Sequence, residues 1–362
     1  MDHRPVRARV LTLVLGTMML VVATATPAFA HGRGSDATNY VSRIVAVPEL
    51  PGVTWRIYNN DEFLGVENTS DTDLVVPSYD SSDERPVPYL RIGPEGVFAN
   101  RNSSAYFLNQ TRYITVQPPP GVGQGQPDWV MISGQHRYAW HDHRIHWMAP
   151  KPPAQVRGAT TQVKVNSWAV PFIYGGQSHV VEGVLLWSPG QPAWLWLLGA
   201  LAVVSLPVLT GLRTRPSDGA WPGLLRPAAA TLAVVSAVNL FHLVDDLSAT
   251  PVPLTLSAVA GLQTTLFIAI GLFGAYRAWQ AGDGAFTALA VGAGSIFIGQ
   301  GLLYFSSLSA PYLATVFPVW LTRGIVALSV AQALPLGFVV FYGTSRTSPA
   351  VTPGMPRATT RT

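Results

Sequence analysis

The residues best suited to chemistry lie in one stretch, "YAWHDHRIHWMAP", which covers residues 138–150 and contains three histidines, an aspartate, an arginine and two tryptophans. Neutral imidazole is the commonest metal-ligand side chain in proteins. If this stretch is a β-strand, His141 and His143 project from one face, because alternate residues of a strand share a face. The spacing therefore predicts two imidazoles that converge on one transition-metal ion.

A transition-metal site needs at least one further donor. A β-bulge could bring His146 round to the same side, and His179 could approach from a neighbouring strand. A structural role is the alternative, since Asp142 and Arg144 lie together on the other face and could form an ion pair covered by the tryptophan rings. Such a strand would serve packing or docking on a membrane surface, and the sequence leaves both interpretations open.

The amino terminus has the three parts of a secretory signal peptide. A basic start is followed by the apolar run "LTLVLGTMMLVVATA" and by the small-residue site "TPAFA". We therefore predict a signal peptide over residues 1–30, with cleavage between Ala30 and His31. An amino-terminal His31 would offer its α-amine and its ring together, and this bidentate pair suits Cu(II).

Composition excludes several classes of site. The chain has no cysteine, so it has neither disulfides nor thiolate ligands. A histidine-based site then favours Cu(II), with Zn(II) as the alternative, over soft Cu(I). The net charge of +4 contains no basic run, so nucleic-acid binding is not expected. Because G-x-S-x-G and H-E-x-x-H motifs are absent from the sequence, we expect no enzymatic activity.

The expected environment of the chain changes from water to lipid near residue 190. Residues 31–190 alternate short β-rich runs, such as "VTWRIYN", "RYITVQ" and "HVVEGVLLW", with turn signals such as "NND". This pattern predicts an all-β extracytoplasmic sandwich domain of eight or nine strands. Residues 191–343 are almost continuously apolar and contain five runs of about 20 residues, the length that crosses a bilayer. This half is predicted to be an α-helical transmembrane bundle, followed by a disordered cytoplasmic tail over residues 344–362.

Loop charges predict the orientation of this bundle. Arg213, Arg215 and Arg277 follow the first and third predicted spans, whereas the loops on the other side carry Asp245 and Asp246 and no Lys or Arg. Basic loops stay in the cytoplasm. We therefore expect a multi-pass protein of the cell membrane, with its amino-terminal domain outside and its tail in the cytoplasm.

A second group of polar residues lies at membrane depth. Asn239, His242 and either Asp245 or Asp246 share one face of a helix, at spacings of three and four. An ionisable group in a membrane tends to find a partner. We expect Arg323 to pair with one of the two aspartates, although interfacial residues that reach out to water are the simpler alternative.

Two resemblances bear on function. A mature chain beginning with His31 resembles exported copper-handling proteins of the CopC type. The whole layout resembles uncharacterised actinobacterial membrane proteins with a secreted β-domain carrying W-H-D-H-R-x-H-W-M, here Trp140 to Met148; this family implies no assigned activity. The expected function is a cell-envelope membrane protein that binds or hands over copper. The alternatives are a scaffold for another envelope protein and a small transporter that uses the intramembrane polar cluster.

Overall fold

The computed structural model describes residues 37–110, 112, 116–149, 151–213, 222–251 and 254–346. The predicted signal peptide, His31 and residues 347–362 of the predicted tail lie outside these ranges.

Ten β-strands occupy the amino-terminal half of the described chain and form two antiparallel sheets. The larger sheet has the strand order β1-β10-β9-β4-β5-β6-β7, and the smaller has the order β2-β3-β8. The strands are β1 (Tyr40–Ala46), β2 (Val53–Tyr58), β3 (Phe63–Asn68), β4 (Leu74–Pro77), β5 (Pro88–Gly93), β6 (Gly96–Asn100), β7 (Trp129–Ser133), β8 (Arg137–Trp140), β9 (Val163–Tyr174) and β10 (Gln177–Trp187). A short helix, α1 (Ser104–Leu108), follows β6.

The two sheets share one hydrophobic core. Trp55 of β2 lies with its ring centroid 5.1 Å from that of Phe172 of β9, and 6.2 Å from that of Trp140 of β8. All three side chains are buried. Burial of a large apolar side chain contributes about 1.5–3 kcal/mol. These rings therefore hold β8, which leads into the histidine-rich stretch, against both sheets.

The prediction of an all-β region is confirmed, and the individual strands differ from the prediction in three places, of which the histidine-rich stretch after β8 is described with the site below. Strand β6 was not predicted, because "GVFAN" is short and contains a glycine at its start. The run "RYITVQ" was predicted as a strand, but its described residues, 112, 116 and 117, belong to none; residues 113–115 lie outside the described ranges.

Within the described residues, five helical segments are long and apolar enough to cross a membrane, as the sequence predicted: Ala193–Arg213, Gly223–Ser248, Ser257–Trp279, Ala285–Leu302 and Val319–Gly343. The individual helices are α2 (Ala193–Arg213), α3 (Pro222–Val238), α4 (Leu240–Ser248), α5 (Leu254–Trp279), α6 (Ala285–Ile296), α7 (Val319–Ala331) and α8 (Ala333–Arg346). Helix α6 continues into a π-helical turn, Phe297–Leu302.

The chain divides into two compact units. The first contains the strands together with Phe241–Thr264 and Tyr304–Arg323. Within it, Thr38 and Tyr312 exchange two backbone hydrogen bonds of 3.0 and 3.1 Å, and the Gln191 N–H donates to the Ser309 carbonyl at 2.8 Å. Backbone hydrogen bonds therefore hold the segment after the π-helical turn to the residues just before β1 and just after β10.

The second unit contains Trp194–Leu240, Thr265–Leu303 and the chain from Gly324 onward. Helices α5 and α6 approach so closely at Gly274 that a Cβ atom there would collide with the backbone of Gly292. Small residues permit such close helix packing in membranes.

Candidate functional site

The predicted strand through the histidines is wrong beyond Trp140. Strand β8 ends there, and a 3₁₀ turn follows at His143–Ile145. Asp142 causes this turn, since its carboxylate accepts the Arg144 N–H at 3.1 Å and its carbonyl accepts the Ile145 N–H at 3.1 Å. Aspartate caps short turns in this way in competition with a strand. His141 and His143 therefore do not share the face of a pleated strand.

Asp142 also forms the ion pair that the sequence suggested. The guanidinium of Arg144 donates to both carboxylate oxygens, at 2.7 and 2.6 Å, and the Trp140 indole N–H donates at 2.9 Å. Burial would raise the pKa of Asp142, but the adjacent guanidinium and these hydrogen bonds outweigh it and lower the pKa below its usual range. The expected pairing of Asp142 with Arg144 is confirmed.

Contacts from distant strands fix the 3₁₀ turn. Ser42 of β1 donates its hydroxyl to the Ile145 carbonyl at 2.7 Å, and the Trp168 indole N–H of β9 donates to Ser42 at 3.0 Å. On the opposite side, the His143 N–H donates to the Tyr79 hydroxyl oxygen at 2.9 Å. The turn is therefore held at the backbone of both Ile145 and His143, which helps to set the positions of the imidazole rings.

The three imidazoles are brought together around His146. The ring centroid of His146 lies 6.4 Å from that of His141 and 6.3 Å from that of His143. The Phe63 ring covers His141 with 4.2 Å between the ring centroids. The Tyr79 ring stacks on His143 with 6.0 Å between the centroids and 12° between the ring planes. From the sequence, we expected His146 to join the site only if a β-bulge turned it to the same side. In the structure, the 3₁₀ turn places its ring near both of the other imidazoles.

A carboxylate that the sequence did not single out completes the group. Asp61 lies in the turn between β2 and β3, where Asn59 and Asn60 have positive φ values of 50° and 69°, which asparagine tolerates well. Its Oδ2 accepts from the Arg112 guanidinium at 2.6 Å and lies 3.8 Å from His146 Nδ1. The only sequence signal at this position was "NND", interpreted as a turn.

We call His141, His143, His146 and Asp61 the histidine pocket. Several of its buried polar atoms have no hydrogen-bond partner among the described residues: His141 Nδ1, both ring nitrogens of His146, and Asp61 Oδ1. A buried polar atom without a partner costs about 1–3 kcal/mol, so its occurrence requires an explanation such as a water or an ion. Other buried atoms of the β-region also have no described partner, such as Trp55 Nε1 and Asn166 Oδ1, but here four of them belong to three side chains that lie together.

The imidazole rings of the histidine pocket are not already arranged as a complete metal-coordination shell. Among the described residues, no group of three or more histidine or acidic side chains stands arranged to hold a metal ion. A metal would therefore need ring rotations to bring the nitrogens inward.

Burial sets the protonation state of two of the imidazoles. Burial, followed by the neighbouring His146, lowers the pKa of His141 to about 3. Burial also lowers the pKa of His146, against the opposing influence of Asp61. Both rings are therefore neutral at neutral pH, the form in which an imidazole nitrogen has a lone pair.

Two further histidines, His31 and His179, were predicted as metal ligands. His31 lies outside the described residues. His179 of β10 stacks on Phe172 with 5.3 Å between the ring centroids and 26° between the planes. The structure gives His179 a packing contact in the β9–β10 hairpin, opposite Phe172 in the strand register.

The polar residues at the end of α4 form a separate group within the first unit. Asp245 accepts from the Thr315 hydroxyl at 2.7 Å and from the Val316 N–H at 2.9 Å. Asp246 accepts from the Thr264 hydroxyl at 2.5 Å and from the Tyr304 hydroxyl at 3.0 Å. The two carboxylates thus hold the segment that follows the π-helical turn. His242 packs its ring 4.7 Å from that of Tyr304.

The expected ion pair of Arg323 is not found. Its guanidinium donates to the carbonyls of Ser307 at 3.0 Å, Ala310 at 2.5 Å and Pro311 at 3.3 Å. The ion pairs among the described residues do not include one between Arg323 and either aspartate. These carbonyls lie in and just after another 3₁₀ turn, Phe305–Leu308, where backbone carbonyls lack helical partners and accept from the guanidinium instead.

Asn239, the remaining member of the predicted cluster, belongs to the second unit. Its side-chain amide donates to the Val235 carbonyl at 2.7 Å and to the Ser329 hydroxyl at 3.0 Å. It therefore makes a polar contact between α3 and α7, of the kind that holds membrane helices together.

Comparisons with protein-family models, with curated proteins and with solved structures find no match for this chain. The resemblances to CopC-type proteins and to actinobacterial membrane proteins therefore stay predictions from the sequence.

Proposed function

We propose that the chain is a non-enzymatic cell-envelope membrane protein whose extracytoplasmic β-sandwich binds copper, with zinc as the alternative ion, in the histidine pocket. His141, His143 and His146 supply the imidazoles, and Asp61 lies beside His146. The sandwich assignment rests on the common core of the two sheets. Partners of such a protein are the membrane lipid, the metal ion and a second envelope protein that gives or receives it.

One observation carries the proposal: His141, His146 and Asp61 present, in the same place, buried polar atoms that have no partner within the described part of the chain. Elsewhere in the 3₁₀ turn, polar groups are satisfied, as the Asp142 carboxylate and the Ile145 carbonyl show. A packing role alone would leave the imidazole nitrogens hydrogen-bonded or exposed, because orphaned polar atoms destabilise a core. An ion bound by the ring nitrogens would satisfy them.

The orientation of the membrane helices is part of the proposal. The charge bias of the loops supports placing the β-domain outside and the chain after α8 in the cytoplasm. An exported site without cysteine also suits an oxidising compartment, since imidazoles, unlike thiolates, are not lost to disulfide formation.

The transporter alternative gains less support from the contacts. Asp245 and Asp246 are hydrogen-bonded to hydroxyl and backbone donors, and Arg323 is bound to carbonyls. Such contacts fix the segment at 304–318 in place. We therefore interpret the polar cluster as a support for this segment.

Metal content of the purified full-length protein tests the proposal. A His31→Ala parent removes the predicted amino-terminal chelate, so that binding reports on the histidine pocket. We expect one metal ion per chain in the parent, and none in His146→Gln or in the double variant His141→Ala/His143→Ala. His179→Ala is the matched control and should keep full stoichiometry. Stoichiometric metal in the double variant would refute the ligand assignment.

A further inference from the structure

We infer that the histidine pocket takes a monovalent cation, held in nearly linear coordination between His141 and His146. Cuprous copper is the ion of this class that an imidazole pair binds, and Ag(I) is its redox-stable analogue. The inference rests on the proposed function and narrows it, because the sequence had favoured Cu(II) or Zn(II). Two independent features of the histidine pocket support it: the ring separation and the charge balance.

The ring separation fits two-coordinate geometry. An imidazole nitrogen lies about 1.2 Å from its ring centroid, so bonds of about 2.0 Å place two centroids about 6.4 Å apart across a linear site and about 5.2 Å apart across a tetrahedral one. The centroids of His141 and His146 lie 6.4 Å apart. Both rings have nitrogens to which no described residue is hydrogen-bonded, including His141 Nδ1 and His146 Nε2. The centroid separation of a linear site is therefore already present, and ring rotation would aim the two nitrogens at the ion.

The remaining ring atoms have suitable neighbours. The ring of His141 is hydrogen-bonded to the backbone of Glu62. His146 Nδ1 faces Asp61 Oδ2 at 3.8 Å, a distance that a small rotation shortens to a hydrogen bond. Ligating histidines usually donate their second N–H to a carboxylate or a backbone carbonyl, which orients the ring. Asp61 is thus a positioning residue for His146.

The charge balance disfavours a divalent ion. Asp61 is buried, and its charge is compensated by Arg112, whose side chain is only 15% exposed. Asp142 and Arg144 form a second compensated pair next to the rings. Glu62 adds a single negative charge, since the Asn59 amide that donates to its carboxylate at 3.4 Å is neutral. Because a buried charge without compensation is costly, an ion with one positive charge is favoured over an ion with two.

Arg112 is therefore the residue that selects for ionic charge. At an effective dielectric constant of about 20, a positive charge about 6 Å away repels a divalent ion more than a monovalent ion by a factor of about 100 in binding constant. Replacement of Arg112 by methionine removes this discrimination but keeps the length of the side chain. Lysine at the same position keeps the charge.

The experiment compares Ag(I) with Zn(II) on the full-length protein in a His31→Ala background, at pH 7.5 and in chloride-free buffer. Equilibrium dialysis with metal analysis gives both dissociation constants. We expect one Ag(I) per chain, bound at least tenfold more tightly than Zn(II). Arg112→Met should shift the ratio of the two constants at least tenfold toward Zn(II), while Arg112→Lys keeps it. Arg101→Met, which breaks the exposed Arg101–Asp128 pair, is the matched control and should leave the ratio unchanged.

The ligand variants separate the linear pair from the third ring. His141→Ala and His146→Gln should each abolish Ag(I) binding, whereas His143→Ala should weaken it less than tenfold. Zn(II) or Cu(II) bound more tightly than Ag(I), with dependence on His146, would overturn the monovalent assignment and leave the proposed function standing. Failure of Ag(I), of Zn(II) and of Cu(II), dialysed in the same way, to bind would overturn both. An unchanged ratio in Arg112→Met would remove the role of Arg112.

Discussion

Replacement of Asp142 by alanine would remove the acceptor that Trp140 and Arg144 share. The Asp142 carboxylate is fully buried, and it accepts hydrogen bonds from the Trp140 indole, from the Arg144 backbone N–H and from two nitrogens of the Arg144 guanidinium. In the alanine variant, the Arg144 guanidinium stays charged and mostly buried, since the Arg144 side chain is 22% exposed.

The magnitude follows from the groups left without partners. Removal of one partner of a buried ion pair costs about 3–5 kcal/mol, and a buried N–H without an acceptor costs about 1–3 kcal/mol. The partial exposure of Arg144 lets water replace some of the lost hydrogen bonds. We therefore expect the free energy of unfolding of the β-domain to fall by about 3–5 kcal/mol in Asp142→Ala.

Pulse proteolysis in urea measures this change on the full-length protein, because cleavage reports the unfolded fraction of the β-domain. With a denaturant dependence of about 2–3 kcal/mol per molar urea, the midpoint should fall by about 1–2.5 M. Asp128→Ala is the matched control: its pair with Arg101 is half-exposed, and an exposed pair contributes at most about 1 kcal/mol.

The double variant Asp142→Ala/Arg144→Met decides the mechanism. If the cost arises from an uncompensated guanidinium, removal of both charges should restore most of the stability. A double variant as unstable as Asp142→Ala would show that the carboxylate acts through the 3₁₀ turn alone. A midpoint shift below about 0.5 M in the single variant would refute the account, given the expected size of a buried pair.

The remaining predictions concern other contacts and the topology. Ser42→Ala should lower the unfolding midpoint of the β-domain by an amount equal to about 1–2 kcal/mol, measured in the same way, because the Ile145 carbonyl loses its donor. Arg323→Met should expose the chain around residues 304–311 to protease in native detergent solution, where the parent resists cleavage. Since the chain has no cysteine, Ser178→Cys should be labelled in intact cells by a membrane-impermeant maleimide, and Gly282→Cys only after lysis; the reverse pattern would contradict the proposed orientation.

Much of the fold could be predicted because its signals are local. A run of about 20 apolar residues identifies a membrane span without knowledge of its neighbours. Alternating runs such as "VTWRIYN" gave β2, and "HVVEGVLLW" falls within β10. Strand β6 was missed, since its five residues contain too little alternation and begin with Gly96.

The candidate site could be predicted only in part. The three histidines were visible as a group, but the strand assignment failed because Asp142 formed a cap with its own backbone neighbours. Asp61 and Arg112 could not be found, as they lie 85 and 34 residues before His146 in the sequence, and neither belongs to a motif. The prediction that Arg323 pairs with an aspartate failed for a similar reason. Backbone carbonyls compete with carboxylates for the guanidinium, and amino-acid composition does not show where those carbonyls lie.

By itself, the order of amino acids determined the division into a β-rich half and an apolar helical half, because each hydropathy pattern is written within a few consecutive residues. It also determined that any metal ligand must be something other than cysteine. The tertiary structure alone decided that His146 is the central imidazole and that Asp61, balanced by Arg112, faces it. Proximity of residues far apart in the chain depends on how the sheets and turns pack, and charge compensation in a buried pocket follows from that packing.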